Sequence, residues 1–205
     1  IPRSGAVHRG PARGATRSES SRSKASRPSP AVEAGSSLRA TLTAGSARTL
    51  DNTAASYPRQ LGNLIADAFR NVLRTDVALV NNGGVRADVA AGRLTYGQLF
   101  TVMPFQNQAV TVTLTGKQLR EVAEASITAG GPDAHVSGMR ITYDLSRPAG
   151  QRVREIRLAN GKKPKDTGRY TLAVNSFLAA GQSGYTMLRA APQVPDGMSD
   201  IEVVE

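Results

Sequence analysis

Apolar side chains recur at helical spacing from Leu61 to Leu73, at Leu61, Leu64, Ile65, Ala68, Phe69, Val72 and Leu73. The spacing predicts an amphipathic helix over 61–74. After Asp76, the uninterrupted apolar run from Val77 to Val80 reads as a buried strand that ends at Asn81-Asn82-Gly83-Gly84. A short helix is expected over 95–101, before Pro104. Residues 108–115 alternate, with Val110, Val112 and Leu114 on one face and Thr111, Thr113 and Thr115 on the other. That is a half-buried strand. Thr115 is placed to cap a second amphipathic helix carrying Leu119, Val122 and Ala123. Met139, Ile141 and Tyr143 begin a strand, which the turn Ser146-Arg147-Pro148-Ala149-Gly150 returns into 152–158 as a hairpin. Tyr170 to Val174 is expected to be the last strand, ending at Asn175-Ser176-Phe177. Helices and strands mix without strict alternation, so the fold class is α+β, a mixed sheet with packed helices.

Composition narrows the chemistry. The 205 residues suit one domain with a tail. The absence of cysteine excludes a disulfide framework, a thiolate zinc site and a cysteine nucleophile together. Two histidines, His8 and His135, are little material for an imidazole-rich metal centre or a Ser-His-Asp triad. His135 follows Gly130-Gly131-Pro132-Asp133-Ala134 and reads as a loop histidine, solvated or structural. No apolar run approaches the length needed to span a bilayer. Ile1 has no apolar signal core after it, which reads as a processed or truncated chain.

The net charge of +10 is unevenly placed. Residues 1–36 carry Arg3, Arg9, Arg13, Arg17, Arg22, Lys24 and Arg27 against Glu19 and Glu33. Their large aliphatics are Ile1, Val7 and Val32, with no aromatic residue, too little apolar surface to offset the entropy of ordering. Residues 1–36 are therefore expected to be a disordered basic tail, and 37–205 the folded domain. A nucleic-acid arm has the same composition, but no aromatic or repeated motif accompanies this charge, and nucleic acid is not the expected partner.

Three loops hold the candidate chemistry. The first is Asn81-Asn82-Gly83-Gly84-Val85-Arg86, where paired glycines allow a sharp turn and close ligand approach, and Arg86 can meet an anion or a polar ring. The second is Met103-Pro104-Phe105-Gln106-Asn107, and the third runs from Asn175 through Gly181-Gln182-Ser183-Gly184 to Tyr185. Two of the four phenylalanines, Phe105 and Phe177, sit in these loops, whereas Phe69 lies on the apolar face of a helix. The loop rings can stack on the two faces of a planar ligand, or they can plug the ends of the core.

Leu61-Gly62-Asn63-Leu64-Ile65-Ala66-Asp67-Ala68-Phe69, the Asn81-to-Arg86 turn, the Pro104-Phe105 loop and the Asn175-to-Tyr185 loop occur in a familiar order. Together, over roughly 60–190, they resemble the C-terminal, substrate-binding domain of the 5′-nucleotidase family, with its UDP-sugar hydrolases and 2′,3′-cyclic phosphodiesterases. The resemblance implies that Arg86 contacts the nucleotide, that Asn81 bonds the base, and that Phe105 and Phe177 sandwich it. It also implies a role for Gly83 and Gly84 in the ligand turn. It implies a place in nucleotide catabolism and a bacterial protein that is secreted, periplasmic or at the cell surface.

Departures from the family pattern are local. The last loop of the family reads Gly-Gly-Asp-Gly followed by Tyr or Phe, and its aspartate accepts from the ribose hydroxyls; here Ser183 stands in that place. An arginine expected about seven residues before the glycine of Leu-Gly-Asn is Ala55, with Arg48 and Arg59 nearby, and an expected glutamate is Pro58. Ile201 to Glu205 stands where members continue into another helix. The family hydrolyses phosphate esters with two divalent metals in a separate N-terminal metallophosphatase domain. This chain has no Asp-x-His and no Gly-Asn-His-Glu. It is expected to hold no catalytic residue, metal site or cofactor of its own, and alone to be inactive. Its expected partners are a nucleotide or nucleoside and the missing metal-bearing domain; the alternative is a stand-alone nucleotide-binding module that hydrolyses nothing.

Overall fold

The computed structural model describes residues 57–89 and 94–205. The basic tail 1–36 and Ala55 lie outside the described residues, as do the side chains of Pro58 and Arg59. Helix α1 spans Tyr57–Val72 and leads into strand β1, Val77–Asn81. Helix α2, Tyr96–Val102, strand β2, Gln108–Thr115, and helix α3, Gly116–Ala125, follow. A two-residue pair, β3 (Ile127–Thr128) and β4 (Gly131–Pro132), precedes β5, Ala134–Ser137. Strands β6 (Met139–Tyr143) and β7 (Val153–Leu158) form an antiparallel hairpin in which Ile141 faces Ile156. Strand β8 (Arg169–Asn175), helix α4 (Ser176–Ala179), strand β9 (Gln193–Ser199) and helix α5 (Asp200–Val204) complete the order. The fold is α+β around a mixed five-stranded sheet, ordered β5-β1-β8-β2-β9, in which β1 and β8 run parallel and the other pairs antiparallel.

Period-two alternation divides the core into two layers. Val77 and Leu79 of β1, Val110, Val112 and Leu114 of β2, and Leu172 and Val174 of β8 face α3 and the β6–β7 hairpin. Ala78 and Val80, Ala109 and Ala173 face the other way, toward α1, α2 and α5. Strand β1, between β5 and β8, is buried on both faces, which is why it reads as a continuous apolar run rather than an alternating one. Small residues predominate on the second face and let α1 lie close to the sheet. Both Thr95 and Thr115 make capping boxes, with Gln98 and Gln118, so the sequence signal at Thr115 corresponds to a real helix start.

Several expectations are corrected. Helix α1 begins at Tyr57 and ends at Val72, where Arg74 takes a left-handed conformation (φ 53°), and Val72 is exposed rather than packed. His135 lies in a strand, not a loop: it pairs with Val80 and is 5% exposed. Its ring lies against Gly62 of α1. Strand β8 is not the last. Residues 193–199 add β9 to the open edge of β2, and Asp200–Val204 forms a capped helix with Ile201, Val203 and Val204 in the core. Strand β9 carries Pro195 and a positive-φ Gly197 and is largely exposed, so it shows no apolar periodicity; it is held by pairing with β2 and by the side chains of Gln193 and Asp196.

Candidate functional site

Because β1 and β8 are parallel neighbours, both chains leave the sheet at the same end, after Asn81 and Asn175. The antiparallel β2 enters beside them, preceded by the Phe105 loop. A cleft of about 400 Å³ opens there, lined by Asn81, Gly83, Gly84, Phe105, Asn107, Asn175, Phe177 and Ser183. All three loops singled out in the sequence therefore meet at one place.

The floor is an amide pair. Asn175 caps α4: its Oδ1 accepts from the Leu178 N–H at 2.9 Å, and its Nδ2 donates to Asn81 Oδ1 at 3.3 Å. Both asparagines are buried, at 5% and 8% exposure. Since the cap commits Asn175 Oδ1 to a donor, its amino group must face Asn81, which orients both carboxamides. Asn82–Gly84 forms a 3-10 turn over Asn81. Neither Gly83 nor Gly84 has a positive φ. Their role is room: a Cβ at Gly84 would stand 3.1 Å from Asn81 Oδ1, and one at Gly83 3.3 Å from Asn81 Nδ2.

The walls are aromatic. Phe105 is 56% exposed and Phe177 42% exposed, in contrast to Phe69 at 1%. The loop rings are open cleft walls, not core plugs. Tyr185, at the end of the third loop, is the plug instead: it is 2% exposed, and burial, reinforced by Asp133, pushes its phenol above the ordinary range. Two lining loops hold a non-glycine residue in the left-handed region, Gln106 (φ 51°) beside Phe105 and Ser183 (φ 53°) between Gln182 and Gly184. Such conformations cost energy and concentrate where surrounding structure holds a binding site in shape.

Of the residues named from sequence, Asn81, Gly83, Gly84, Phe105, Phe177 and Ser183 line the cleft. Arg86 does not: its backbone N–H donates to Val102 O at 2.8 Å and its side chain is exposed. Asn107 and Asn175 line it as well, two loop asparagines whose residue type alone does not set them apart from other polar loop residues. Asn107 is clasped by Asp200. Its N–H and Nδ2 both donate to Asp200 Oδ2 at 3.2 Å, and the Asp200 N–H donates to Asn107 O at 2.8 Å. Nothing in the sequence signalled Asp200.

No lining residue carries a charge or titrates near neutrality. The exposed rings and carboxamides suit the cleft to holding a planar polar ligand by stacking and amide hydrogen bonds. Among the described residues no group of three His, Cys, Asp or Glu side chains could hold a metal ion. Among the same residues no helix is long and apolar enough to cross a membrane.

Known proteins share this fold. A crystal structure of a 5′-nucleotidase precursor from Thermus thermophilus superposes with a TM-score of 0.67 at 31% identity, covering 82% of this chain and 37% of that one. The Haemophilus influenzae NAD nucleotidase gives 0.65 at 26%, covering 78% and 32%. In sequence, the chain is 35% identical over 158 residues to the trifunctional nucleotide phosphoesterase YfkN of Bacillus subtilis, covering 70% of this chain and 11% of that protein. It is 40% identical over 120 residues to endonuclease YhcR of the same organism, covering 58% and 10%. The chain thus spans about a tenth of these two relatives' length. The family model described as 5′-nucleotidase, C-terminal domain, matches residues 37–190, and with the shared fold this shows that the chain belongs to the 5′-nucleotidase C-terminal domain family.

Proposed function

We propose that the cleft binds the base and ribose of a nucleotide or nucleoside. On this reading the chain is the substrate-specificity domain of a 5′-nucleotidase-type phosphoesterase, in which a separate domain supplies two divalent metals and the hydrolysis. The observation that carries the reading is the pair of exposed rings, Phe105 and Phe177, on one uncharged cleft floored by oriented carboxamides. A base offers two π faces to the rings and a polar edge to the amides. Relatives named as a nucleotide phosphoesterase, apyrases and an NAD 5′-nucleotidase support the same ligand class. Ser183 is assigned to the ribose, and the exposed Arg86 to the phosphate end, which an uncharged cleft does not hold. We assign the protein a secreted, periplasmic or cell-surface location.

Calorimetric titration with adenosine and AMP tests the clamp. Phe105→Ala and Phe177→Ala should each weaken binding by about 1–3 kcal/mol while leaving the melting temperature nearly unchanged. Phe69→Ala should instead lower stability by about 3–5 kcal/mol. Unchanged affinity in both loop variants would sink the reading.

A further inference from the structure

Asp200 is 4% exposed, and no ion pair to it is found among the described residues. Burial pushes its carboxyl above the usual range, against the hydrogen bonds from Asn107. The Oδ1 atom is buried with no hydrogen-bond partner. A carboxylate so placed is a net expense to the fold unless it does something a neutral residue cannot. The backbone N–H groups of Asp200 and Ile201 at the start of α5 also favour its charged form, but less than Asn107 does. Ser199 and Glu202 already form the capping box of α5, with Glu202 Oε2 accepting from the Ser199 N–H at 2.7 Å. The side chain of Asp200 turns instead to Asn107, a lining residue of the cleft 93 positions earlier.

We infer that Asp200 is a positioning residue for the nucleoside cleft, locking the Asn107 carboxamide in one orientation and pinning the Phe105 loop through the Asn107 backbone. The inference rests on the nucleoside-binding reading of that cleft. An ionised carboxylate can only accept, so the Asn107 amino group must face it. The Asn107 carbonyl oxygen and its second N–H are then left in a fixed order for a ligand. A neutral amide at 200 has donors as well as an acceptor, and would allow the Asn107 group to turn over. The three hydrogen bonds to Asn107 also hold the chain one residue beyond Gln106, whose left-handed backbone places Phe105 on the cleft wall. What Asp200 costs in folding it returns as preorganisation of the binding groups.

The test is a pair of measurements whose expected signs are opposite. Asp200→Asn is nearly isosteric and removes a buried charge, so the melting temperature of the full chain should be at or above that of the wild type. Its affinity for adenosine should fall by about fivefold to thirtyfold, the loss of one or two oriented hydrogen bonds. Asn107→Ala should show a similar loss, and the double variant should bind no more weakly than Asn107→Ala alone. In the free protein, the side-chain amide protons of Asn107 should exchange slowly by NMR in the wild type and fast in Asp200→Asn. A merely structural Asp200 would lower stability and leave affinity to follow it. Adenosine binding by the wild type that Asp200→Asn leaves unchanged overturns the positioning role alone. So do additive losses in the double variant, or fast exchange of the Asn107 amide in the wild type. No adenosine binding by the wild type overturns the nucleoside reading itself, and the inference with it.

Discussion

Gly62 sits inside helix α1, where glycine is less favourable than alanine by about 0.8–1.0 kcal/mol. Replacing it by alanine would therefore stabilise an isolated helix. In this fold the added Cβ would stand 2.2 to 2.4 Å from three atoms of the His135 ring. Contact between carbon atoms is comfortable at about 3.5–4.0 Å, so the ring would have to move by more than about 1 Å. It has little room to do so, since His135 is 5% exposed and its strand is paired with β1 while packed under α1. Overpacking of this kind costs up to about 3 kcal/mol. Set against the helix gain, Gly62→Ala should lose about 2 kcal/mol of stability. The melting temperature should drop by about 4–8 °C for a domain of this size. In a His135→Ala background, itself destabilised, the same change should gain about 1 kcal/mol, because only the helix propensity remains. Urea denaturation followed by circular dichroism on the four proteins measures the cycle. A Gly62→Ala protein as stable as the wild type, or equally destabilised in both backgrounds, would refute the reasoning.

Two further outcomes follow from the cleft. Ser183→Asp should raise affinity for adenosine by about tenfold to a hundredfold, with little change for 2′,3′-dideoxyadenosine, because a charge-assisted bond to a hydroxyl contributes about 1.5–3 kcal/mol. The left-handed backbone at 183 accommodates Asp at least as well as Ser, and an equal effect on both ligands in calorimetry would show that residue 183 does not face the ribose. The chain alone should release no phosphate from AMP or UDP-glucose in a colorimetric assay with added zinc or manganese, since the described residues hold no group of metal ligands. Turnover by pure protein that a chelator abolishes would count against that.

Local pattern was enough for the elements that carry their own signal. The 3.6-residue spacing from Leu61 to Phe69 makes α1 amphipathic in any context, and the Thr115–Gln118 box starts α3 with two local hydrogen bonds. The alternation of β2 and the β6–β7 hairpin, with its turn, are likewise written within a few residues of themselves. So is the family resemblance, which the Leu61-to-Phe69 run and the three loops carry in order along the chain, Phe105, Phe177 and the glycine turn among them. Tertiary structure decided what depends on partners far away. Strands β5 and β9 have no periodicity of their own and exist because β1 and β2 present open edges to them, which is also why His135 is a core residue and not a loop one. Whether two loop phenylalanines face solvent or the core cannot follow from their neighbours in sequence, because burial is a property of what packs against them. The Asn81–Asn175 amide pair joins residues 94 positions apart, and the Asn107–Asp200 clasp joins residues 93 apart. Those pairs form because the parallel register of β1 and β8 brings two strand ends together and β9 returns the chain beside β2, long-range pairings that no local sequence rule encodes.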